Sequence, residues 1–154
     1  MPKRLISNKR YLVYCLESKS SNLTYVGSTN DRHRRLMQHN GLKAGGSKYT
    51  ANKTARPWHL GFYVKGFKNH RQALQFEYSV KHESRKFRSC TPHERRLKGL
   101  GATINKTKWT CNSSDSTKIP LRIHFKTDRM TPSDFSEFKL DHIKYNIDWE
   151  HVSS

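Results

Sequence analysis

Tyr11-Leu12-Val13-Tyr14-Cys15-Leu16, the polar Lys19-Ser20-Ser21-Asn22, and Leu23-Thr24-Tyr25-Val26-Gly27 make up the stretch whose reading decides the fold. Two apolar runs on either side of a short polar turn predict two strands, 11–16 and 23–27, joined as a hairpin. Asn30-Asp31 follows as a helix N-cap, since either side chain accepts a free backbone N–H, and Gly41 supplies the stop for a helix ending near Asn40. Residues 41–52 place Gly41, Gly45 and Gly46 among lysines, which predicts a mobile basic loop. Trp58, Leu60, Phe62 and Val64 alternate along a third, mostly buried strand over 58–67. His70 to Val80 carries helical spacing, with Ala73, Leu74, Phe76, Glu77 and Val80 on nearby faces.

Further along, Thr91-Pro92-His93-Glu94 joins an N-cap threonine to a first-turn proline and a glutamate three residues on. This predicts a helix to about Leu100 or Ile104. The polar segment 106–118 reads as a loop, and Leu121, Ile123 and Phe125 alternate as a late strand. Thr131-Pro132-Ser133-Asp134 repeats the cap-then-proline pattern before a short acidic helix. The sequence holds no internal repeat and no low-complexity tract. At 154 residues the chain has the length of one domain with a core and room for a small appendage.

Only 33% of the residues are hydrophobic, yet these cluster in periodic runs, which excludes wholesale disorder. The formal charge is +18 and unevenly distributed. Residues 1–110 hold 24 Lys/Arg against 5 Asp/Glu, whereas residues 111–154 hold 6 against 7. The surface that meets a polyanion therefore belongs to the first two-thirds of the chain. Nucleic acid is the leading partner, because lysines and arginines that neutralise phosphates release counterions. No stretch approaches the roughly 20 apolar residues of a membrane span and no clean basic amphipathic anchor is present, so a membrane partner is not expected. Cys15, Cys90 and Cys111 form no C-x-x-C pair, which argues against a disulfide framework and against a zinc finger. Pro2-Lys3-Arg4 after Met1 leads into no apolar segment, so the expected location is intracellular and reducing.

Glu77 is the sole acid between Asp31 and Glu83, within a basic field. Hydrolysis of a phosphodiester needs an attacking water, a base for its proton and positive charge against the developing pentavalent phosphate. A magnesium ion keeps several waters and often takes only one or two protein carboxylates, so an isolated glutamate suits it. Spacing alone also allows a surface Glu77 paired with Lys or Arg. Arg35, in Arg32-His33-Arg34-Arg35, carries a planar guanidinium that grips two phosphate oxygens, although by charge any of these serves as a plain backbone contact. Tyr11 and Tyr25 offer phenols that orient or deprotonate water once their pKa near ~10 is lowered, or that simply pack in the sheet. His39 lies four residues past Arg35 on the same helix face. By themselves the residues leave open a basic nucleic-acid binder and a metal-dependent nuclease.

Tyr25-Val26-Gly27-Ser28-Thr29, followed by Arg34-Arg35-Leu36-Met37-Gln38-His39-Asn40-Gly41, resembles the central motif of the GIY-YIG nucleases. Within that superfamily it looks most like the Slx-type catalytic subunit of the eukaryotic structure-specific endonuclease. Gly45-Gly46-Ser47-Lys48-Tyr49-Thr50, Ala55-Arg56-Pro57-Trp58, Val64-Lys65-Gly66-Phe67 and Ala73-Leu74-Gln75-Phe76-Glu77-Tyr78 follow in family order over residues 9–82. Pro120-Leu121-Arg122-Ile123-His124-Phe125 also resembles a segment that follows the nuclease domain. The resemblance implies an α/β fold: a small three-stranded, mainly antiparallel sheet flanked by helices. The nuclease domain is expected over 1–89, with a helix-and-strand extension over 90–154 packed on it.

The resemblance further implies roles. Tyr11 and Tyr25 position and activate the water, Arg35 stabilises the scissile phosphate, His39 sits close to the phosphate, and Glu77 holds one Mg²⁺ or Mn²⁺. Products with 5′-phosphate and 3′-hydroxyl ends follow. The expected substrate is branched DNA such as flaps and junctions. Arg32, Arg34, Lys43, Lys48, Lys53 and Arg56 are expected to track the duplex backbone by shape rather than by base. In a eukaryote the site of action is the nucleus. Two departures stand out. Lys9-Arg10 replaces the Gly-Ile of the first motif. Slx-type subunits also carry a C-terminal zinc-binding RING-like domain that docks a scaffold protein. After residue 110 this chain has one cysteine with His124, His142 and His151, so no zinc is expected and the resemblance does not extend to that scaffold. The rival readings are a non-catalytic nucleic-acid-binding module and a sequence-specific or RNA-directed nuclease of the same superfamily.

Overall fold

The computed structural model describes residues 10–113, 115, 119–127 and 145–149. In chain order the elements are β1 (Leu12–Ser18), β2 (Thr24–Thr29), α1 (Arg32–His39), β3 (Trp58–Lys65), α2 (His70–Ser84), α3 (Pro92–Ile104), β4 (Leu121–Phe125) and β5 (Tyr145–Trp149). The strands form one sheet in the order β2-β1-β3-β4-β5. The first four are antiparallel neighbours, and β5 runs parallel to β4. The α/β fold with its antiparallel hairpin core is as expected, but the three strands are one end of a wider sheet, which β4 and β5 extend beyond β3. β4 falls on the alternating run of Leu121, Ile123 and Phe125, whereas β5 lies beyond anything the sequence reading predicts. The acidic helix expected from Thr131 lies outside the described residues.

Local chemistry accounts for the helix starts. The side chains of Asp31, Asn69 and Thr91 accept the backbone N–H groups of Arg34, Gln72 and Glu94 at 3.1, 2.9 and 3.3 Å. Each such cap is worth about 1 kcal/mol. Gly41 ends the first helix segment with φ of 78°, a left-handed conformation that suits glycine.

Strand alternation sends β1 side chains to two different cores. Val13 and Cys15 join Val26, Phe76 and Val80, together with Leu97, Leu100 and Ile104 of α3. Leu12, Tyr14 and Leu16 join Trp58, Tyr63 and Leu36 of α1 on the opposite face. In β3 the expected one-sided set divides: Phe62 and Val64 belong to the first core, Trp58 and Leu60 to the second. The cause is a register shift, since Cys15 pairs with Phe62 but Leu16 with Leu60, so Gly61 is the extra residue of a bulge. One inserted residue turns every later side chain to the other face.

The third helix is part of the same core as the hairpin. Leu100 is 0% exposed, and Leu100→Ala is expected to lower the unfolding free energy by about 2–5 kcal/mol. A urea titration checks this; a loss below about 1 kcal/mol would mean that α3 merely leans on the domain. A second tie is Glu17, fully buried, with Thr127 donating to its Oε2 at 2.8 Å. His59 Nε2 lies 2.9 Å from its Oε1, and His93 Nε2, in the first turn of α3, lies 3.6 Å from Oε2.

The 41–52 segment is a loop, as expected, and hydrogen bonds tie it to α1 and β3. Leu42 N donates to Met37 O at 2.8 Å, Ala51 N to Ser47 O at 3.1 Å, and Trp58 Nε1 to Thr50 O at 3.1 Å. Composition alone does not reveal carbonyls that find donors elsewhere in the fold.

Candidate active site

Tyr14 on β1 faces Gly27 on β2. A Cβ at residue 27 would lie 2.5 Å from the Tyr14 hydroxyl, so glycine there lets the phenol lie across the neighbouring strand. The hydroxyl thereby reaches α1. It lies 2.7 Å from His39 Nε2 and accepts from Arg35 Nε at 3.3 Å. His39 Nδ1 is 2.7 Å from Thr50 Oγ1, and Thr50 Oγ1 donates to Ser47 O at 3.3 Å. One assignment satisfies this chain: Tyr14 donates to Nε2, and the neutral imidazole donates from Nδ1 to Thr50.

Electrostatics agree with that assignment. Burial pushes the Tyr14 phenol well above its ordinary value of 10, outweighing the Arg35 guanidinium, and the Tyr25 phenol and the Glu77 charge push it further. Burial, with the charges of Arg35 and Arg56, pulls His39 from 6.5 down to about 4. The folded state thus binds this proton less readily than the unfolded chain. Its contribution to stability is complete above pH about 6.5 and lost as pH falls towards 4, on the order of 3 kcal/mol in all. Thermal melts from pH 7.5 to 4 are expected to show this fall, and His39→Gln to flatten it. Arg35 keeps its charge: burial works against it, but Tyr14 and Tyr25 hold its pKa above the ordinary guanidinium value.

The sequence-predicted residues fall into three places. Arg35, His39 and Tyr25 gather around Tyr14; the Tyr25 ring centroid lies 4.8 Å from that of His39. Tyr11 stacks on His70 at 3.8 Å and shares with Arg34, Arg35 and Gln38 the lining of a depression of about 310 Å³. Glu77 stands on α2, its Oε2 bonded to Lys81 Nζ at 2.7 Å, which is the pairing that spacing allowed. The Lys81 ammonium lies 6.0 Å from the Tyr25 ring centroid.

Among the expected nucleic-acid contacts, Arg34, Lys43, Lys48 and Lys53 are exposed. Arg32 lies 4.5 Å over the Tyr63 ring, and Arg56 turns inward, its Nε donating to the carbonyls of His39 and Thr50 at 2.9 and 3.2 Å. Tyr14, Thr50, His70 and Lys81 are members of this site that sequence reasoning missed. Lys81 was within reach of a helical i,i+4 rule from Glu77. Tyr14 was not, because only the strand register sets it opposite Gly27.

No group of three or more His, Cys, Asp or Glu that suits a metal occurs among the described residues. A site for a hard ion needs less than that. Glu77 offers two carboxylate oxygens, its side chain is 16% exposed, and water can supply the remaining positions. The donor chemistry fits one divalent ion, on the condition that Lys81 yields Oε2.

A model of the GIY-YIG catalytic domain matches residues 10–90. Among curated relatives, the structure-specific endonuclease subunit slx1 of Aspergillus terreus is 40% identical over 119 residues, covering 73% of this chain and 30% of its own length. The subunit of the same name from Malassezia globosa is 51% identical over 81 residues, covering 51% and 18%. That of Talaromyces stipitatus is 48% identical over 73 residues, covering 47% and 19%. The chain therefore spans less than a third of the length of these relatives. With the matched family spanning more than half the chain, and with its motif residues gathered around β2 and α1, the protein belongs to the GIY-YIG catalytic domain family.

Proposed function

We propose that this chain is a metal-dependent, structure-selective endonuclease domain. It hydrolyses phosphodiester bonds in branched DNA, flaps and junctions, and leaves 5′-phosphate and 3′-hydroxyl ends. The observation that carries the reading is the convergence of Arg35 and His39 on the Tyr14 hydroxyl, with the Tyr25 ring packed against His39 and the Glu77 charge felt by that phenol. Similarity to relatives named structure-specific endonuclease subunits supports it, and their naming as subunits supports a protein partner.

The division of labour follows from burial. Tyr14 is 2% exposed and holds its proton tightly, so it serves as a post for Arg35 and His39. Tyr11 and Tyr25 are only half-buried and are the phenols left to orient and deprotonate water. Arg35, fixed by Tyr14, by Gln38 Oε1 at 2.9 Å and by the Gly45 carbonyl at 2.8 Å, presents a preset guanidinium to the scissile phosphate. Glu77 would hold one Mg²⁺ or Mn²⁺; when bound, the ion supplies positive charge for the developing phosphate and the leaving oxygen. Arg32, Arg34 and the lysines of the 41–56 segment track the duplex backbone. The nuclease domain comprises 1–89 with 90–154 as its packed extension, and it works inside the cell, in the nucleus of a eukaryote.

The test is a labelled 5′-flap duplex with Mg²⁺ or with EDTA, beside an unbranched duplex of the same sequence. Nicking near the branch, dependent on Mg²⁺ and far slower on the plain duplex, is the expected result. Binding without cleavage in Mg²⁺ and Mn²⁺ would favour the non-catalytic module. Cleavage at one short sequence regardless of branching, or preference for a matched RNA flap, would overturn the substrate assignment.

A further inference from the structure

A separate concavity of about 630 Å³ lies between the end of α2, the start of α3 and the start of β2. Lys81, Arg85, Arg88, Arg95 and Arg96 line it with Tyr49, and no carboxylate does among the described residues. Part of this cationic wall is rigidly built. Arg95 donates to the carbonyls of Phe87, Arg88 and Cys90 at 3.2, 3.4 and 3.1 Å, and Arg96 Nε donates to Thr24 Oγ1 at 3.1 Å. Arg85 and Arg88 are exposed. Cations gathered in a concavity repel one another and focus a field that draws a polyanion.

The concavity is continuous with the candidate active site through two residues. Lys81 bonds Glu77, and Tyr49 stacks on Tyr25 with ring centroids 5.9 Å apart while staying 49% exposed. We infer that this concavity seats the unpaired arm of a branched nucleic acid, its phosphates on Arg85, Arg88 and their neighbours and a base on Tyr49. Its volume of about 630 Å³ is that of a nucleotide or two rather than of a duplex segment. Cations that follow a backbone, with an exposed aromatic for a base to stack on, are what single strands require. The inference rests on the nuclease reading for the class of ligand but not for any chemical step.

The experiment measures binding by the full chain in EDTA, so that turnover plays no part. It compares a blunt duplex with the same duplex carrying an unpaired arm, over a range of salt concentrations. Wild type is expected to prefer the armed duplex. The double variant Arg85→Gln, Arg88→Gln is expected to lose most of that preference. It should also lower the salt slope on the armed duplex by about 1.4, since each single-strand phosphate contributes about 0.7. Tyr49→Ala is expected to weaken the armed duplex by about tenfold, with Tyr49→Phe restoring it. Binding of the blunt duplex should stay unchanged in the arginine variant. Equal weakening on both duplexes, or no weakening on either, overturns the inference. If arm preference depends on these residues but wild type cuts nothing with Mg²⁺, the strand site stands and the nuclease reading falls. If wild type cuts flaps and the variants bind as it does, the reverse holds.

Discussion

Glu77→Gln abolishes Mg²⁺-dependent cleavage of a flapped duplex and leaves affinity for that duplex equal to or above that of wild type. The amide is nearly isosteric, so the change removes charge without opening a cavity. It takes from the site the carboxylate best suited to the ion, and it removes a negative group from a surface that must meet phosphates. The lost pair with Lys81 is a helical i,i+4 pair, worth about 0.3–0.5 kcal/mol, so stability should hardly move. Cleavage and gel-shift assays run side by side check both halves. Normal cleavage by the variant would show that the ion is held elsewhere.

Arg35→Ala lowers the rate of the chemical step by about 10²–10³, the scale of a lost electrostatic stabiliser, with only modest loss of affinity. Arg35→Lys is expected to restore little, because an ammonium cannot donate to Tyr14, Gln38 and Gly45 at once while facing a phosphate. Single-turnover kinetics separate this from a weaker role. A raised KM with an unchanged rate would make Arg35 an ordinary backbone contact. Tyr14→Phe is the informative companion: it removes the post but leaves the arginine.

Much of the fold was legible because it is locally encoded. The hairpin, the caps at Asp31 and Thr91, and the stop at Gly41 follow from side-chain chemistry within a few residues; the Asn69 cap, equally local, went unread. The bulge at Gly61 was not, since alternation in β3 reads the same with or without a register shift. Arg35, His39 and Tyr25 could be named from a motif, but that a buried tyrosine bonds the first two depends on strand pairing. Arg56 shows the opposite failure. Its charge suggested a phosphate contact, whereas the fold sets its Nε on two backbone carbonyls. The arginines at 85, 88, 95 and 96 were plain in the sequence, yet only the return of α3 along α2 makes one concavity of them.

Glu17 carries a practical consequence for where this protein can be divided. Its carboxylate is reached by a histidine from β3, one from the first turn of α3 and a threonine just past β4. A fragment cut after residue 90 would keep the whole family motif and lose two of those three groups. It would also uncover Leu97, Leu100 and Ile104's side of the core. A buried carboxyl group stripped of partners beside bared apolar surface favours aggregation over a smaller working enzyme. The catalytic motif and the smallest foldable unit thus have different boundaries, and the second extends at least to Thr127.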